Sequence, residues 1–253
     1  MTRKRSATQL IAYRLLRHTA RLAAVIFWRI QCLGRHHIPR TGPALICANH
    51  QSVLDPILVG MQFNRRLNYL ARRSLFENRI LASLIRFLDA IPIEREGMGL
   101  DGLRETLRRL HAGELVLIFP EGTRSPDGRL QPLKPGFCAV AKRAEVPLLP
   151  VAIDGAHCSW PRYQPWPHPA RIVLVIGPCI EAEQVRRWAA DQLVQELQQR
   201  LAACHQQARS IRLGLPYCGG NAPVDHHPKT LRYGSVDSPA HFTNCPTWHG
   251  TQY

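Results

Sequence analysis

Two short runs hold the residues whose types and spacing could do chemistry. Asn49-His50-Gln51-Ser52-Val53-Leu54-Asp55 sets an imidazole five residues ahead of a carboxylate, and about seventy residues on comes Phe119-Pro120-Glu121-Gly122-Thr123-Arg124. A carboxylate that fixes the tautomer of an imidazole leaves the other ring nitrogen free to take a proton from a hydroxyl group. The second run offers a glycine for close backbone approach, a hydroxyl donor and a planar cation that grips phosphate at two points. A proton-abstracting base beside an anion-binding turn is the chemistry these runs predict.

On a regular helix His50 and Asp55 would lie about 140° apart around the axis, so the pair must straddle an element boundary. Asp55-Pro56 supplies one, with proline at the first helical position and Asp55 as a cap just before it; Ser52 is a competing start. His50 then sits on the loop leaving a strand and folds back toward Asp55.

From about residue 40 the chain alternates short apolar runs with helical patterns, the mark of an α/β domain. Strands are expected at 44–48, 67–71, 90–93, 115–119, 146–153 and 171–176, and helices at 56–63, 75–88, 100–111, 136–144 and 183–207. Both chemical runs begin where strands end, the place where open α/β sheets bind ligands. Arg72 and Arg73 close another expected strand and Arg95 follows Ile91-Pro92-Ile93, so several cations are expected at one sheet edge. Lys134, ahead of Pro135-Gly136, is a further cation with no role fixed by its sequence.

The chain of 253 residues has room for one large domain with extensions at both ends. Lys and Arg number 33 against 18 Asp and Glu, for a net charge of +15, which favours polyanionic partners. Residues 1–40 contain nine Lys or Arg and no carboxylate. Apolar residues from Leu10 to Ile30 alternate with Arg14, Arg17 and Arg21 at helical spacing, predicting an amphipathic helix over 1–33 that lies on an anionic membrane surface. Its longest wholly apolar run, Leu22–Trp28, is far short of the roughly 20 residues a span requires. The domain proper is expected over 34–208. The segment 209–253 is rich in Pro and His without hydrophobic period and is expected to be a loosely packed tail. The eight cysteines show no C-x-x-C spacing and read as reduced residues, with Cys47, Cys138 and Cys179 in the core.

The ordered set Asn-His-x-x-x-x-Asp, Ile-Pro-Ile-x-Arg, Phe-Pro-Glu-Gly-Thr-Arg-Ser and Val-Pro-Leu-Leu-Pro-Val, spread from about Gly34 to Ile180, resembles the glycerolipid acyltransferases. The resemblance implies a central mixed sheet flanked by helices. It also implies transfer of a fatty acyl group from acyl-CoA or acyl-carrier protein to a lysophospholipid hydroxyl, such as that of 1-acyl-sn-glycerol-3-phosphate, at the cytoplasmic face of the inner membrane. By this match His50 is the catalytic base and Asp55 its partner; Glu121, Gly122, Thr123 and Arg124 meet the acceptor's phosphoglycerol, joined by Arg95 and by Arg72. Pro147, in the fourth motif, takes an architectural role. The chain departs from the family in having Asp89-Ala90 where a glycine is usual, and in lacking a proline near Arg79, which bears on acceptor choice.

The expected mechanism is direct attack, with no metal and no cofactor beyond the acyl donor. A covalent intermediate is disfavoured because there is no G-x-S-x-G elbow and no cysteine in the His50 run. Rival readings are an acyltransferase for another acceptor, lyso-ornithine lipid or lysophosphatidylethanolamine, and a non-catalytic basic adaptor for membrane or nucleic acid. The adaptor accounts for the charge and leaves His50, Asp55 and Glu121 unexplained, so no nucleic acid is expected. A metal site on His226, His227, Cys245 and His249 lacks paired ligand spacing.

Overall fold

A computed structural model describes residues 25–72, 90–93, 99–161, 163–164 and 166–216, together with Thr19 and Leu22. The expected helix over 75–88, Arg73 and Arg95, most of the N-terminal amphipathic helix and the chain beyond 216 lie outside the described residues; residues 25–28 are helical.

In chain order the elements are β1 (Gln31–Leu33), a 3-10 turn (Arg35–His37), β2 (Ala44–Ala48), α1 (Asp55–Gly60), β3 (Leu67–Arg72), β4 (Ala90–Ile93), α2 (Gly99–His111), β5 (Leu115–Ile118), α3 (Gly136–Ala144), β6 (Leu148–Asp154), α4 (Ala156–Ser159), β7 (Val173–Ile176), α5 (Ala182–Arg187) and α6 (Ala190–Leu213). Seven described strands form one sheet in the order β1-β7-β6-β2-β5-β3-β4. Five neighbours, β6, β2, β5, β3 and β4, run parallel, while β7 is antiparallel to β6 and β1 parallel to β7. The sheet is therefore mixed, and its long parallel section gathers five strand ends on one edge.

The strands are short apolar runs because both faces are covered. Ala44, Ile46 and Ala48 of β2 face one core with Leu54, Leu58, Val59 and Phe63 from α1 and its flanks. Leu45 and Cys47 face the other, with Leu110 of α2, Phe137 and Val140 of α3, Val185 of α5 and Leu193, Leu197 and Leu201 of α6. The side-chain period of two is what splits one strand between two cores.

Several boundaries differ from the sequence expectation. The expected helix over 183–207 is two helices, broken at Trp188-Ala189, where the side chains of Gln184 and Gln192 accept the N–H groups of Glu181 and Ala189 and start each helix afresh. Helix α6 runs on to Leu213, so residues 209–213 belong to the domain and not to a loose tail; Arg212 is tied to Asp154. Gln31–Leu33 pairs with β7, so the N-terminal extension ends in the sheet. Cys179 is only half-buried, against the core position expected, whereas Cys47 and Cys138 are buried.

Candidate functional site

β2 and β5 are parallel neighbours, so the loops leaving their carboxyl ends must meet. They are cross-linked through the backbone of His50: its N–H donates to Glu121 Oε1 at 3.2 Å, and its carbonyl accepts the N–H of Ser125 at 2.7 Å. Asn49, fully buried, extends the sheet by one rung with its side chain. Its Nδ2 donates to the Ile153 carbonyl at 2.9 Å and its Oδ1 accepts the Ile153 N–H at 2.7 Å, so the start of the loop is locked to β6.

His50 Nδ1 lies 2.8 Å from Asp55 Oδ2. That same oxygen accepts the N–H groups of Gln51 at 2.6 Å and Ser52 at 2.7 Å. Asp55 is not the cap expected before the helix; Leu54 holds the cap position and Asp55 sits inside the first turn, its carboxylate turned back to the preceding loop. The physical reason is that three donors converge behind it, which satisfies a carboxylate better than one forward amide. Asp55 is completely buried, whereas the His50 side chain keeps 19% of its surface exposed. The imidazole stacks on Phe119, with ring centroids 4.0 Å apart and planes inclined by 16°. One nitrogen is thus held by carboxylate and the ring plane by an aromatic face, and Nε2 is the ring nitrogen turned away from the carboxylate.

Glu121 is buried, and burial pushes its carboxyl up to about 8; donation from the His50 N–H opposes this, the nearby Asp55 charge adds to it, and a backbone donor at Gln131 opposes it again. Its Oε2, like Asp55 Oδ1, is buried without a hydrogen-bond partner. Gly122 has φ 74°, and a Cβ there would come 3.0 to 3.1 Å from the Lys134 side chain, so the turn takes glycine for its backbone and for the cation packed on it. Thr123 is exposed and Arg124 half-buried, and Lys134 N–H closes the turn on the Pro120 carbonyl at 2.8 Å. Lys134 is a cation of this turn that sequence spacing alone left without a role.

Arg72 ends β3, one strand beyond β5 on the same edge, and β4 ends at Ile93, two residues before Arg95. The topology therefore brings His50, Asp55, Glu121, Gly122, Thr123, Arg124 and Arg72 to one edge. Sequence reasoning missed what supports them: Gln51, which reaches Gly128 O at 2.5 Å and His205 Nε2 at 3.2 Å and accepts the His157 N–H at 3.4 Å, and Ser52, whose Oγ donates to the Trp160 carbonyl at 2.8 Å. Their partners lie 77 to 154 residues away, beyond any local signal. Among the described residues no cluster suited to a metal ion is present. Burial pushes the Cys47 thiol far up, and those of Cys179 and Cys204 up to about 11, so these three are poor nucleophiles.

The Acyltransferase family model matches residues 29–154, which include the His50–Asp55 pair and the Glu121–Arg124 turn on this edge of the sheet. The chain belongs to that family. Among its relatives are proteins named 1-acyl-sn-glycerol-3-phosphate acyltransferase from Bacillus subtilis, 29% identical over 50% of this chain and 63% of the relative, and from Pseudomonas aeruginosa, 31% identical over 61% and 60%. The alpha form from Mus musculus is 33% identical over 50% of this chain and 45% of its own. The matched region spans less than two thirds of the length of each of these relatives. The crystal structure of the 1-acyl-sn-glycerophosphate acyltransferase from Thermotoga maritima shares the fold, with a TM-score of 0.68 at 24% identity over 80% of this chain and 81% of that one.

Proposed function

We propose that the chain transfers a fatty acyl group from acyl-CoA or acyl-carrier protein to the free hydroxyl of 1-acyl-sn-glycerol-3-phosphate, giving phosphatidic acid. The observation that carries this is the 2.8 Å His50–Asp55 contact, held on a loop that is hydrogen-bonded to the Glu121–Arg124 turn. With Nδ1–H donated to Asp55, His50 Nε2 takes the acceptor's hydroxyl proton as that oxygen adds to the thioester carbonyl. When the tetrahedral adduct collapses and the carbon–sulfur bond breaks, the imidazolium returns the proton to the departing thiolate. Asp55, satisfied by neutral N–H donors, stabilises the imidazolium between these events. Arg124, Thr123, Gly122 and Lys134 hold the acceptor's phosphate, joined by Arg72 and Arg95. Glu121, protonated below about pH 8, meets that dianion without repulsion.

A lipid acceptor and the carboxylate-free first 54 residues support a position on the anionic cytoplasmic face of the inner membrane in this reading. Among the described residues no helix is long and apolar enough to cross a membrane. The test is purified protein with one labelled thioester donor and a panel of lysolipids, products identified by mass. Lysophosphatidic acid is expected to be acylated fastest; preference for lyso-ornithine lipid or lysophosphatidylethanolamine would move the assignment to another acceptor, and no transfer to any acceptor would refute it.

A further inference from the structure

The connection from α4 to β7 carries two aromatic side chains out into water, Tyr163 at 84% and Trp166 at 75% exposure. Tryptophan is usually well covered in a folded chain, so this degree of exposure calls for an explanation. The connection is not loose at its feet. His168 N–H donates to the Ser159 carbonyl and Ser159 Oγ donates to the His168 carbonyl, both at 2.8 Å. Gly155, at φ 96° with no room for a Cβ against the Arg171 carbonyl, starts α4 where the chain turns off the sheet.

The feet are joined to two other places. Ser52 Oγ holds the Trp160 carbonyl, two residues along the chain from His50. On the other side Trp28 Nε1 donates to the His168 carbonyl at 3.2 Å, and Ile172 N–H donates to the Trp28 carbonyl at 3.1 Å. Immediately before Trp28 come Val25, Ile26 and Phe27, all exposed, with Ile26 at 72%. Val53, next to Ser52, is exposed as well. Apolar and aromatic groups from three distant parts of the chain are thus joined by hydrogen bonds through the feet of this connection.

Charge selects the occupant. Residues 1–54 and 155–180 contain no Asp or Glu at all, and they hold nine and two Lys or Arg respectively. The first carboxylate, Asp55, is buried. Apolar and aromatic side chains in two segments that carry eleven Lys or Arg and no carboxylate match an anionic lipid surface, where Trp and Tyr settle at headgroup level and cations meet the phosphates.

We propose that the loop of residues 160–168 is a membrane-anchoring surface separate from the basic N-terminal helix, and that it inserts Trp166 and Tyr163 into the headgroup region of an anionic bilayer. This inference rests on the reading of the acceptor as a membrane lipid. Through the Ser52–Trp160 bond the inserted loop sets the His50–Asp55 pair at the bilayer surface, where a lysolipid reaches it without leaving the membrane.

The experiment uses the full chain and no substrate: flotation with vesicles of phosphatidylglycerol and phosphatidylethanolamine, and with vesicles of phosphatidylcholine alone. The parent is expected to float with the anionic vesicles, and a Tyr163→Ala/Trp166→Ala variant to lose roughly tenfold in partition, given the apolar area the two rings bury. Trp166→Phe keeps the ring and the binding, and is expected to lose a large share of the fluorescence quenching by brominated lipid. Unchanged flotation of the double variant, or undiminished quenching in Trp166→Phe, overturns the proposal. So does a dimer in sedimentation that the double variant dissolves while vesicle binding stays, since the occupant is then a second copy. Failure of acyl transfer on every lysolipid, with Trp166-dependent flotation intact, would sink the proposed reaction and leave this surface standing.

Discussion

The domain holds two His–Asp pairs one loop apart, and they are built to opposite ends. In the first, His50 bonds Asp55 at 2.8 Å, and the carboxylate's other bonds come from two neutral backbone N–H groups. In the second, at the end of β6, Asp154 is bonded by the Arg212 guanidinium, and His205 Nε2 stands 3.5 Å from its other oxygen. His205 is buried and its pKa is lowered, chiefly by desolvation; Asp154 and the Gly128 carbonyl oppose this, while the Arg209 and Arg212 charges add to it. Its Nε2 is better placed as acceptor for the Gln51 amide at 3.2 Å than as donor to Asp154. A carboxylate already matched by a permanent cation has little left to offer an imidazolium, whereas one held by dipoles alone keeps its charge for the histidine. Identical residue types therefore give, in one place, an imidazole facing a carboxylate that keeps its charge for it and, in the other, a buried strut.

The largest expected effect separates the pairs by activity. His50→Ala is expected to lower kcat about 10² to 10⁴-fold, the range for a positioned general base, with the unfolding midpoint nearly unchanged because the ring lies partly in water. Single-turnover thiol release from acyl-CoA, paired with thermal unfolding, reads both quantities. His205→Gln is expected to do the reverse, sparing kcat within a few-fold while lowering stability. If the two variants behave alike, the contrast between the pairs is lost.

Glu121 sharpens the contrast through pH, since it is the second acid against the first pair. Its folded-state pKa is raised from 4.5 to about 8, so between these values the folded chain binds a proton that the unfolded chain does not. The stability from that protonation is whole below about 4.5 and is lost as pH rises through 8. Glu121→Gln is expected to flatten this slope and to gain stability above pH 8, by on the order of 5 kcal/mol at most. Denaturant midpoints from pH 5 to 9 for parent and variant decide it; parallel curves would show that the carboxyl is ionised throughout.

Arg212→Ala tests the other side of the comparison. It leaves Asp154 buried without its cation, and about 3 kcal/mol of stability is expected to go with it. Arg212→Lys should recover only part, because an ammonium cannot reproduce the guanidinium's directed donor to Asp154. Urea titration of both variants measures the difference, and a loss below about 0.5 kcal/mol would mean that Asp154 is compensated by other groups.

How much of this was legible in the sequence follows from distance along the chain. The β2, β4, β5 and β7 runs are continuous apolar stretches and announced themselves within a residue or two. β1 did not, because Gln31-Cys32-Leu33 is three residues long and gains strand character only from pairing with Val173–Val175. The break at Trp188-Ala189 carries neither Gly nor Pro and is capped by the Gln192 side chain, so periodicity read through it. His50 and Asp55 stood out because five residues separate them. His205 and Asp154 are 51 residues apart on different elements, and the pair exists only because α6 packs on β6. The turn at Glu121 was legible as a motif, yet its protonation depends on burial beneath His50, which no spacing encodes.

Gln51 joins the two pairs, and the smallest expected effect lies there. Its N–H reaches Asp55, while its amide nitrogen reaches Gly128 O and His205 Nε2. Gln51→Leu fills the space but strands both acceptors, at a cost of about 1 to 2 kcal/mol in stability. The backbone bond to Asp55 survives the change, so the base keeps its partner and kcat should fall only a few-fold through a less firmly held loop. A coupling measurement sharpens this: in the Gln51→Leu background, His205→Gln should cost less than it does in the parent, because the bond they share is already gone. Strict additivity of the two would mean that the pairs, though adjacent, are energetically independent, and that the strut beneath His50 is Asn49 and the sheet alone.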